Sequence, residues 1–134
     1  MSEQGNRGVI RVGDVMQDHF DIIDGLVTVD EAIREMKRTG GRAIIVARRH
    51  EDDEYGIVLL SDIAKKVLGQ DRSPERVNVY EIMTKPLISV RPEMDIRYCV
   101  RLFEKFGLAI APVMREREVV GMVRYDDMVL QGMV

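Results

Sequence analysis

Two aspartates, Asp62 and Asp127, end the same seven-residue pattern, G-h-V-x-x-x-D, in which h is an apolar residue. The apolar run after each glycine predicts a buried strand, and the aspartate predicts the start of the helix that follows. A carboxylate at a helix start can cap free backbone N–H groups, or it can accept hydrogen bonds from a ligand. The spacing alone leaves both interpretations open.

This pattern is part of a longer repeat. An offset of 67 residues relates Met16 to Met83 and Val46 to Val113, and the apolar i, i+3, i+4, i+7 stripe of a helix recurs at the same offset. The glycines that begin the two patterns are 65 residues apart, so the first copy holds two additional residues in the charged segment 48–55. Insertions fall in loops, so we predict a loop there.

Each copy predicts the order strand, helix, strand, strand, helix, which makes a mixed α/β (α+β) fold. The two copies are expected to be related by a pseudo-two-fold axis. The predicted helix caps are Thr28, Ser61 or Asp62, Asp95, and Asp126 or Asp127. We assign residues 1–11 to an N-terminal tail with a short first strand, 12–68 to motif 1, 69–77 to a linker and 78–134 to motif 2.

Charge and hydropathy exclude several classes of function. The net charge is −3 and no long basic stripe is present, so a nucleic-acid partner is not expected. No apolar run approaches the length of a membrane span, and Met1 to Arg7 lack the apolar core of a signal peptide. We therefore expect a cytoplasmic protein that does not contact a membrane.

Residues that commonly carry catalysis or hold metals are scarce. The single cysteine, Cys99, falls on the apolar stripe of a predicted helix, so we interpret it as a core residue rather than a nucleophile. The two histidines, His19 and His50, are far apart in the sequence, so no metal site is predicted. No nucleophile paired with a base and no phosphate-binding glycine loop is visible, so we expect no catalytic residues and no enzyme activity.

Several segments carry a resemblance to a known family. Each copy opens on a related segment, Asp14-Val-Met16 or Glu81-Ile-Met-Thr84, the central strand of the second copy holds Ala111-Pro-Val113, and G-h-V-x-x-x-D ends both. In this order, and duplicated, these segments resemble a tandem pair of cystathionine-β-synthase (CBS) domains, the Bateman-type module. The resemblance covers nearly all of the chain from Val9 to Leu130.

The resemblance implies a fold, a function and partners. In that family two motifs pack about a pseudo-two-fold axis, and two modules often join in a dimer. Clefts between the motifs commonly bind AMP, ADP, ATP or S-adenosylmethionine, and binding regulates a partner protein or an attached domain. The resemblance therefore implies a regulatory module that requires no cofactor, senses an adenosine ligand, forms a homodimer and acts on a partner protein.

This chain departs from the family's pattern at one position in each copy. The ligand-binding form is G-h-x-[ST]-x-x-D, in which the hydroxyl and the aspartate hold the nucleotide, whereas this chain has Leu59 and Arg124 at the hydroxyl positions. Leu59 offers only apolar contact, and Arg124 either meets a phosphate or fills the pocket. The alternative function is a CBS pair that binds no ligand and acts only through dimerisation or protein contacts.

We expect the cleft at Asp127 to dominate, because it has more polar groups than the cleft at Asp62. Pro112 interrupts a predicted central strand, which indicates a strand edge or a bulge next to a cleft. The candidate ligand-binding residues are Asp127, Arg124, Lys85, Pro86, Ala111, Pro112, Val113 and Gly121 at the first cleft, and Asp62, Gly56, Leu59 and Ile45 at the second.

Overall fold

The structure, a computed structural model, describes residues 8–85 and 88–133, and this part of the chain packs into two compact units. Unit I contains residues 8–19 and 88–133, and unit II contains residues 20–85. Each unit therefore combines the sheet of one repeat copy with the opening segment of the other copy. The opening segments are residues 12–17 in unit I and 79–84 in unit II. The motif boundaries assigned from the sequence follow the repeat rather than this packing, and they stay a prediction.

The secondary structure is mixed α/β, as the repeat predicts. The elements in chain order are α1 (Val12–Val15), β1 (Ile22–Ile23), α2 (Val29–Thr39), β2 (Ala43–Val46), β3 (Gly56–Leu59), α3 (Leu60–Lys66), α4 (Ile96–Phe106), β4 (Ile110–Arg115), β5 (Glu118–Arg124) and α5 (Tyr125–Gly132). Short 3₁₀ turns lie at Leu68–Gln70, Pro74–Arg76 and Val79–Glu81.

Unit II is built on a three-stranded sheet in the order β1-β2-β3, with β1 parallel and β3 antiparallel to β2. Helix α2 begins where Thr28 Oγ1 accepts a hydrogen bond of 3.2 Å from the Glu31 amide, which confirms the predicted cap. The helix ends at Gly40, where φ is +74°, a value that favours glycine. Its buried face shares one apolar core with β2 and β3 through Val29, Ala32 and Met36.

Unit I is built on the antiparallel pair β4 and β5, whose register runs from Ile110 opposite Arg124 to Arg115 opposite Glu118. The register shifts between Val113 and Met114, where Val120 of β5 is the additional residue, whereas Pro112, for which a strand edge or a bulge was predicted, lies in regular register opposite Met122. Where unit II has the strand β1, this unit has a single parallel pairing of Val90 with Val113. That pairing occupies the same place in the repeat as the β1 to β2 contact of unit II.

The core of unit I forms between α4, the sheet and α5. Helix α4 begins at the predicted cap, where Asp95 Oδ1 accepts a hydrogen bond of 2.9 Å from the Arg97 amide. The ring of Phe103 packs edge-on against Tyr125, with 5.2 Å between the ring centroids. Cys99 is buried in this core, as predicted, and burial raises the pKa of its thiol to about 11. The thiol is therefore protonated at neutral pH.

The opening segments pair with the sheets in the same way in both units. Gln17 and Met122 exchange two backbone hydrogen bonds of 2.8 Å in unit I, and Thr84 and Ile57 exchange bonds of 2.9 and 3.0 Å in unit II. In each case the sheet residue directly follows the glycine of G-h-V-x-x-x-D. Both glycines therefore lie beside the backbone of an opening segment.

The short first strand expected at residues 9–12 does not form in the described chain. Arg11 makes an isolated pairing with Asp95, and its amide donates a hydrogen bond of 2.9 Å to the Asp14 carboxylate. This bond turns the backbone into α1 at Val12, and residues 9–11 lead into that helix without forming a strand. Within residues 8–85 and 88–133, every helix is too short or too polar to cross a lipid bilayer.

Candidate ligand-binding site

The two pattern aspartates are the third residues of their helices, not the residues that precede them. Helices α3 and α5 begin at Leu60 and Tyr125, after extended cap residues, so the predicted caps at 61–62 and 126–127 were misplaced. Each aspartate reaches back to a cap amide: the Leu59 amide lies 2.8 Å from Asp62 Oδ2, and the Arg124 amide lies 2.9 Å from Asp127 Oδ2. The cap amide has no partner within the helix, so a carboxylate at this position satisfies it.

Asp127 has more polar partners than a helix cap requires. Asp127 is only 3% exposed, and Gln17 Nε2 donates a hydrogen bond of 2.9 Å to Asp127 Oδ1. The Arg124 guanidinium contacts both carboxylate oxygens, at 3.3 Å from Oδ1 and 3.4 Å from Oδ2. The hydrogen bond to Asp127 raises the pKa of Arg124 above its usual value. The cluster therefore holds a buried carboxylate against a cation and two neutral donors.

Gln17 is a member of this site that the residue patterns did not single out. Its paired backbone hydrogen bonds to Met122 hold it beside β5, from where the side chain reaches Asp127. Gly121 allows this approach, because a Cβ atom at that position would lie 2.7 Å from the Gln17 carbonyl oxygen. The repeat offered one signal for Gln17, because the 67-residue offset relates it to Thr84. Thr84 pairs with β3 in the same way as Gln17 pairs with β5.

Asp62 has a simpler environment in unit II. Among the described residues it receives the short hydrogen bond from the Leu59 amide, and Lys66 Nζ lies 3.8 Å from Asp62 Oδ1. Lys66 Nζ also donates a hydrogen bond of 3.0 Å to the Ile82 carbonyl oxygen. The side chain of Leu59, at the position of Arg124 in the repeat, supplies no polar group. The Asp62 carboxylate therefore has the contacts of a helix cap with one distant cation.

Lys85, predicted for the Asp127 cleft, lies in unit II and pairs with a different aspartate. Its ammonium is 2.5 Å from Asp53 Oδ1, and the Arg49 amide donates a hydrogen bond of 2.9 Å to Asp53 Oδ2. The ammonium of Lys85, together with this amide, holds the pKa of Asp53 far below its usual range. Asp53 belongs to the longer loop of the first copy. Pro86 lies outside the described residues, and the grouping of Lys85 with Asp127 stays a prediction.

The other candidates line the sheets. Ala111 and Val113 are fully buried in the core of unit I, whereas Pro112 faces the opposite side of β4, pairs with Met122 and is also buried. Ile45 has the matching position in unit II, opposite Ile57. These residues provide an apolar sheet surface and no side-chain hydrogen bonds. Among the site residues described, the polar side-chain groups are those of the two aspartates, Gln17 and Arg124.

A separate apolar cavity of about 280 Å³ lies in unit I between the N-terminal segment, α4 and α5. Its lining residues include Ile10, Ile96, Val100, Met128 and Val129, and none of the candidate ligand-binding residues. Arg97 also lines this cavity, but its guanidinium is paired with Asp95 and the other walls are apolar, so the cavity does not suit a phosphorylated ligand. In the described parts of the chain, no group of three or more His, Cys, Asp or Glu side chains is arranged to hold a metal ion.

A family model described as CBS domain matches residues 12–69 and 79–131, so the two matches follow the repeat. Among characterised sequences, the chain is 30% identical over 105 residues to the CBS domain-containing protein CBSX3, mitochondrial, of Arabidopsis thaliana. The match covers 76% of this chain and 51% of the plant protein. This chain thus spans about half the length of that relative.

Two solved structures show how far the fold is shared. The hexameric CBS-CP12 protein from bloom-forming cyanobacteria is 35% identical, with a TM-score of 0.88 over 92% of this chain and 72% of that chain. The CBS domain pair of protein MJ0100, solved in complex with 5′-methylthioadenosine and S-adenosyl-L-methionine, is 22% identical, with a TM-score of 0.79 over 92% and 95% of the two chains. At that identity the second similarity shows the fold alone.

Proposed function

The chain belongs to the CBS-domain family, and from this premise we propose that it is a regulatory, non-catalytic module that binds an adenosine compound beside Asp127. Binding there would be passed to a partner protein or to further parts of a longer chain. No cofactor is required for this function. A cytoplasmic location is part of the same proposal.

The observation that carries the proposal is the contrast between Asp127 and Asp62. Both aspartates hold a cap amide at the start of a helix, so capping explains one hydrogen bond in each unit. Asp127 is additionally contacted by Gln17 and by the guanidinium of Arg124, and it is almost completely buried. Burying a charged carboxylate costs stability unless it is paired, and a helix cap does not require burial. A polar cluster of this kind is typical of a binding site.

The chemistry of the cluster suits a phosphorylated adenosine. An ionised carboxylate accepts hydrogen bonds from two neighbouring ribose hydroxyls, and charged acceptors make the stronger hydrogen bonds. A guanidinium binds phosphate oxygens through two parallel N–H donors. The MJ0100 pair was solved with two adenosine compounds, which supports an adenosine ligand for this chain as well.

A thermal-shift screen with AMP, ADP, ATP, NAD, 5′-methylthioadenosine and S-adenosylmethionine tests the proposal. A ligand present at about 100 times its dissociation constant adds about 2.7 kcal/mol to the free energy of unfolding, which raises Tm by several degrees. We expect at least one phosphorylated adenosine to produce this shift in the wild type and a smaller shift in Asp127→Asn. If the folded protein responds to none of these compounds, the proposal is wrong.

The second candidate function is a CBS pair that binds no ligand and acts through protein contacts. One observation favours it: the Arg124 guanidinium occupies both oxygens of the Asp127 carboxylate, where a ribose would bind. Leu59 also lacks the hydroxyl of the family's pattern in unit II. The same screen decides between the two functions, since only the first predicts stabilisation by an adenosine compound.

A homodimer is part of either function. Helix α5 and the residue after it expose large apolar side chains next to the apolar cavity of unit I: Val129, Leu130 and Met133 are 49%, 67% and 75% exposed. A contiguous apolar surface of this kind is commonly covered by a partner. We propose a second copy of the chain as that partner, and the hexameric state of the similar cyanobacterial CBS-CP12 protein supports self-association.

A further inference from the structure

The hydrogen bonds to Asp127 fall into two classes by length and by donor. The Arg124 amide and Gln17 Nε2 each donate a short bond of 2.9 Å, the first to Oδ2 and the second to Oδ1. The two guanidinium contacts, at 3.4 Å to Oδ2 and 3.3 Å to Oδ1, are longer than a well-formed N–H···O bond. Each carboxylate oxygen therefore has one short bond to a neutral donor and one long contact to Arg124.

Because its contacts are the longer ones, the guanidinium of Arg124 is the partner of Asp127 that a ligand can replace. A carboxylate oxygen accepts about two hydrogen bonds, so both oxygens are fully occupied while Arg124 is in place. If the guanidinium moves away, one acceptor position opens on each oxygen, while the Arg124 amide and Gln17 still hold the carboxylate. The side chain of Arg124 is 33% exposed, so it has room to move towards solvent.

We propose that the Arg124 guanidinium occupies the positions of two ribose hydroxyls on Asp127, and that it exchanges this contact for the phosphate of the incoming ligand. The site then selects a phosphorylated ribonucleoside with a free 2′,3′-diol. This inference rests on the proposed function and specifies the ligand class and the selectivity of the same site. The exchange breaks and forms hydrogen bonds only, so no proton is transferred.

The charge of the ligand decides whether the exchange is favourable. A neutral nucleoside supplies the two hydroxyl donors but leaves the displaced guanidinium without its anion, so the ion pair is lost and not replaced. A phosphate replaces that anion with bidentate hydrogen bonds. S-adenosylmethionine brings a cationic sulfonium towards a cationic guanidinium, so it binds more weakly than AMP. A 2′-deoxy ligand fills only one of the two acceptor positions.

Calorimetric titration of wild type, Arg124→Thr and Arg124→Lys with AMP, adenosine and 2′-deoxy-AMP tests this inference. For the wild type we expect AMP to bind at least about tenfold more tightly than either of the other two compounds. Arg124→Thr carries the hydroxyl of the family's pattern, so it should bind AMP more weakly and adenosine more tightly than the wild type does. Arg124→Lys keeps the positive charge and should keep the preference for AMP.

Two results overturn the inference while the proposed function stands. The first is a wild type that binds adenosine as tightly as AMP. The second is an Arg124→Thr variant that binds AMP and adenosine both more tightly than wild type, because Arg124 would then be only an obstruction. If neither the wild type nor Arg124→Thr binds any of the three compounds or responds to any compound of the thermal-shift screen, while both unfold cooperatively on heating, the proposed function and the inference fail together.

Discussion

Gln17 and Asp127 are 110 residues apart in the sequence, and Gln17 Nε2 donates a hydrogen bond of 2.9 Å to Asp127 Oδ1. This bond ties the opening segment of the first repeat copy to the last helix of the second copy within unit I. The opening segment is therefore held directly at the carboxylate beside which we propose that the ligand binds.

The close approach of Gln17 to β5 predicts unequal effects of alanine at the two pattern glycines. In Gly121→Ala the new Cβ would lie 2.7 Å from the Gln17 carbonyl oxygen, which belongs to a paired backbone. In Gly56→Ala the nearest atom, at 2.6 Å, is Met83 Sδ on a flexible side chain. We expect Gly121→Ala to lower the free energy of unfolding by about 1–3 kcal/mol and Gly56→Ala by less than about 1 kcal/mol. Urea unfolding of both variants measures this, and equal losses would contradict it.

The ion pair of Lys85 and Asp53 predicts a rescue experiment. Lys85→Met removes the ammonium from the Asp53 carboxylate and leaves it only the Arg49 amide and the Arg49 guanidinium at 3.4 Å, so we expect a lower free energy of unfolding. Adding Asp53→Asn removes the negative charge that has lost its ammonium and should recover part of that loss. Lys65→Met, at an exposed position of α3, serves as the control and should have little effect. A double variant less stable than Lys85→Met would show that the pair is not the cause.

Local and long-range features of the fold differ in how well the sequence predicts them. The starts of α2 and α4 were predicted at Thr28 and Asp95 and are confirmed, because each cap bonds an amide within three residues. The starts of α3 and α5 were misplaced, because an aspartate can serve a helix start either as the cap or as the third helical residue. In both positions the carboxylate accepts a hydrogen bond from a free backbone amide at the helix start, so the sequence alone does not distinguish them.

The site was predicted in part. Asp127 and Arg124 are three residues apart, so their proximity follows from the pattern and the helix start. Gln17 was missed because its contact depends on which repeat copy the opening segment packs against. An internal repeat is compatible with each opening segment packing on its own sheet or on the other copy's sheet, and local propensity does not distinguish the two. The sequence likewise did not single out Asp53, whose carboxylate pairs with the ammonium of Lys85 in unit II.

The cap of α4 predicts a pH-dependent contribution to stability. Arg97, through its side chain and its amide, lowers the pKa of Asp95 to about 2. Because this pKa lies below the value of about 3.9 in an unfolded chain, the charged cap stabilises the fold above about pH 4, and the stabilisation is lost as the pH falls towards 2. Asp95→Asn should therefore have a lower Tm than wild type near pH 6, and the difference should become smaller as the pH falls from about 4 to about 2. A constant difference across that range would contradict this assignment.

The exposed apolar surface at the end of α5 predicts the effect of a charge on assembly. Wild type at micromolar concentration should scatter light as a dimer of the 15.3 kDa chain. Leu130→Glu, at a position 67% exposed, should shift the protein towards the monomer without lowering the stability of unit I. Leu68→Glu, in unit II and 77% exposed, is the matched control and should remain dimeric. A wild-type monomer throughout the concentration range would exclude the homodimer.

The titration of Asp127→Asn and Asp62→Asn with AMP tests the ligand-binding function most directly. Asparagine retains an oxygen that can accept from the cap amide but loses the charge that a ribose diol requires. We predict that Asp127→Asn binds AMP about 30-fold or more weakly than wild type, a loss of about 2 kcal/mol, and that Asp62→Asn changes the affinity by less than about threefold. Equal affinities of wild type and Asp127→Asn, or a loss confined to Asp62→Asn, would contradict it.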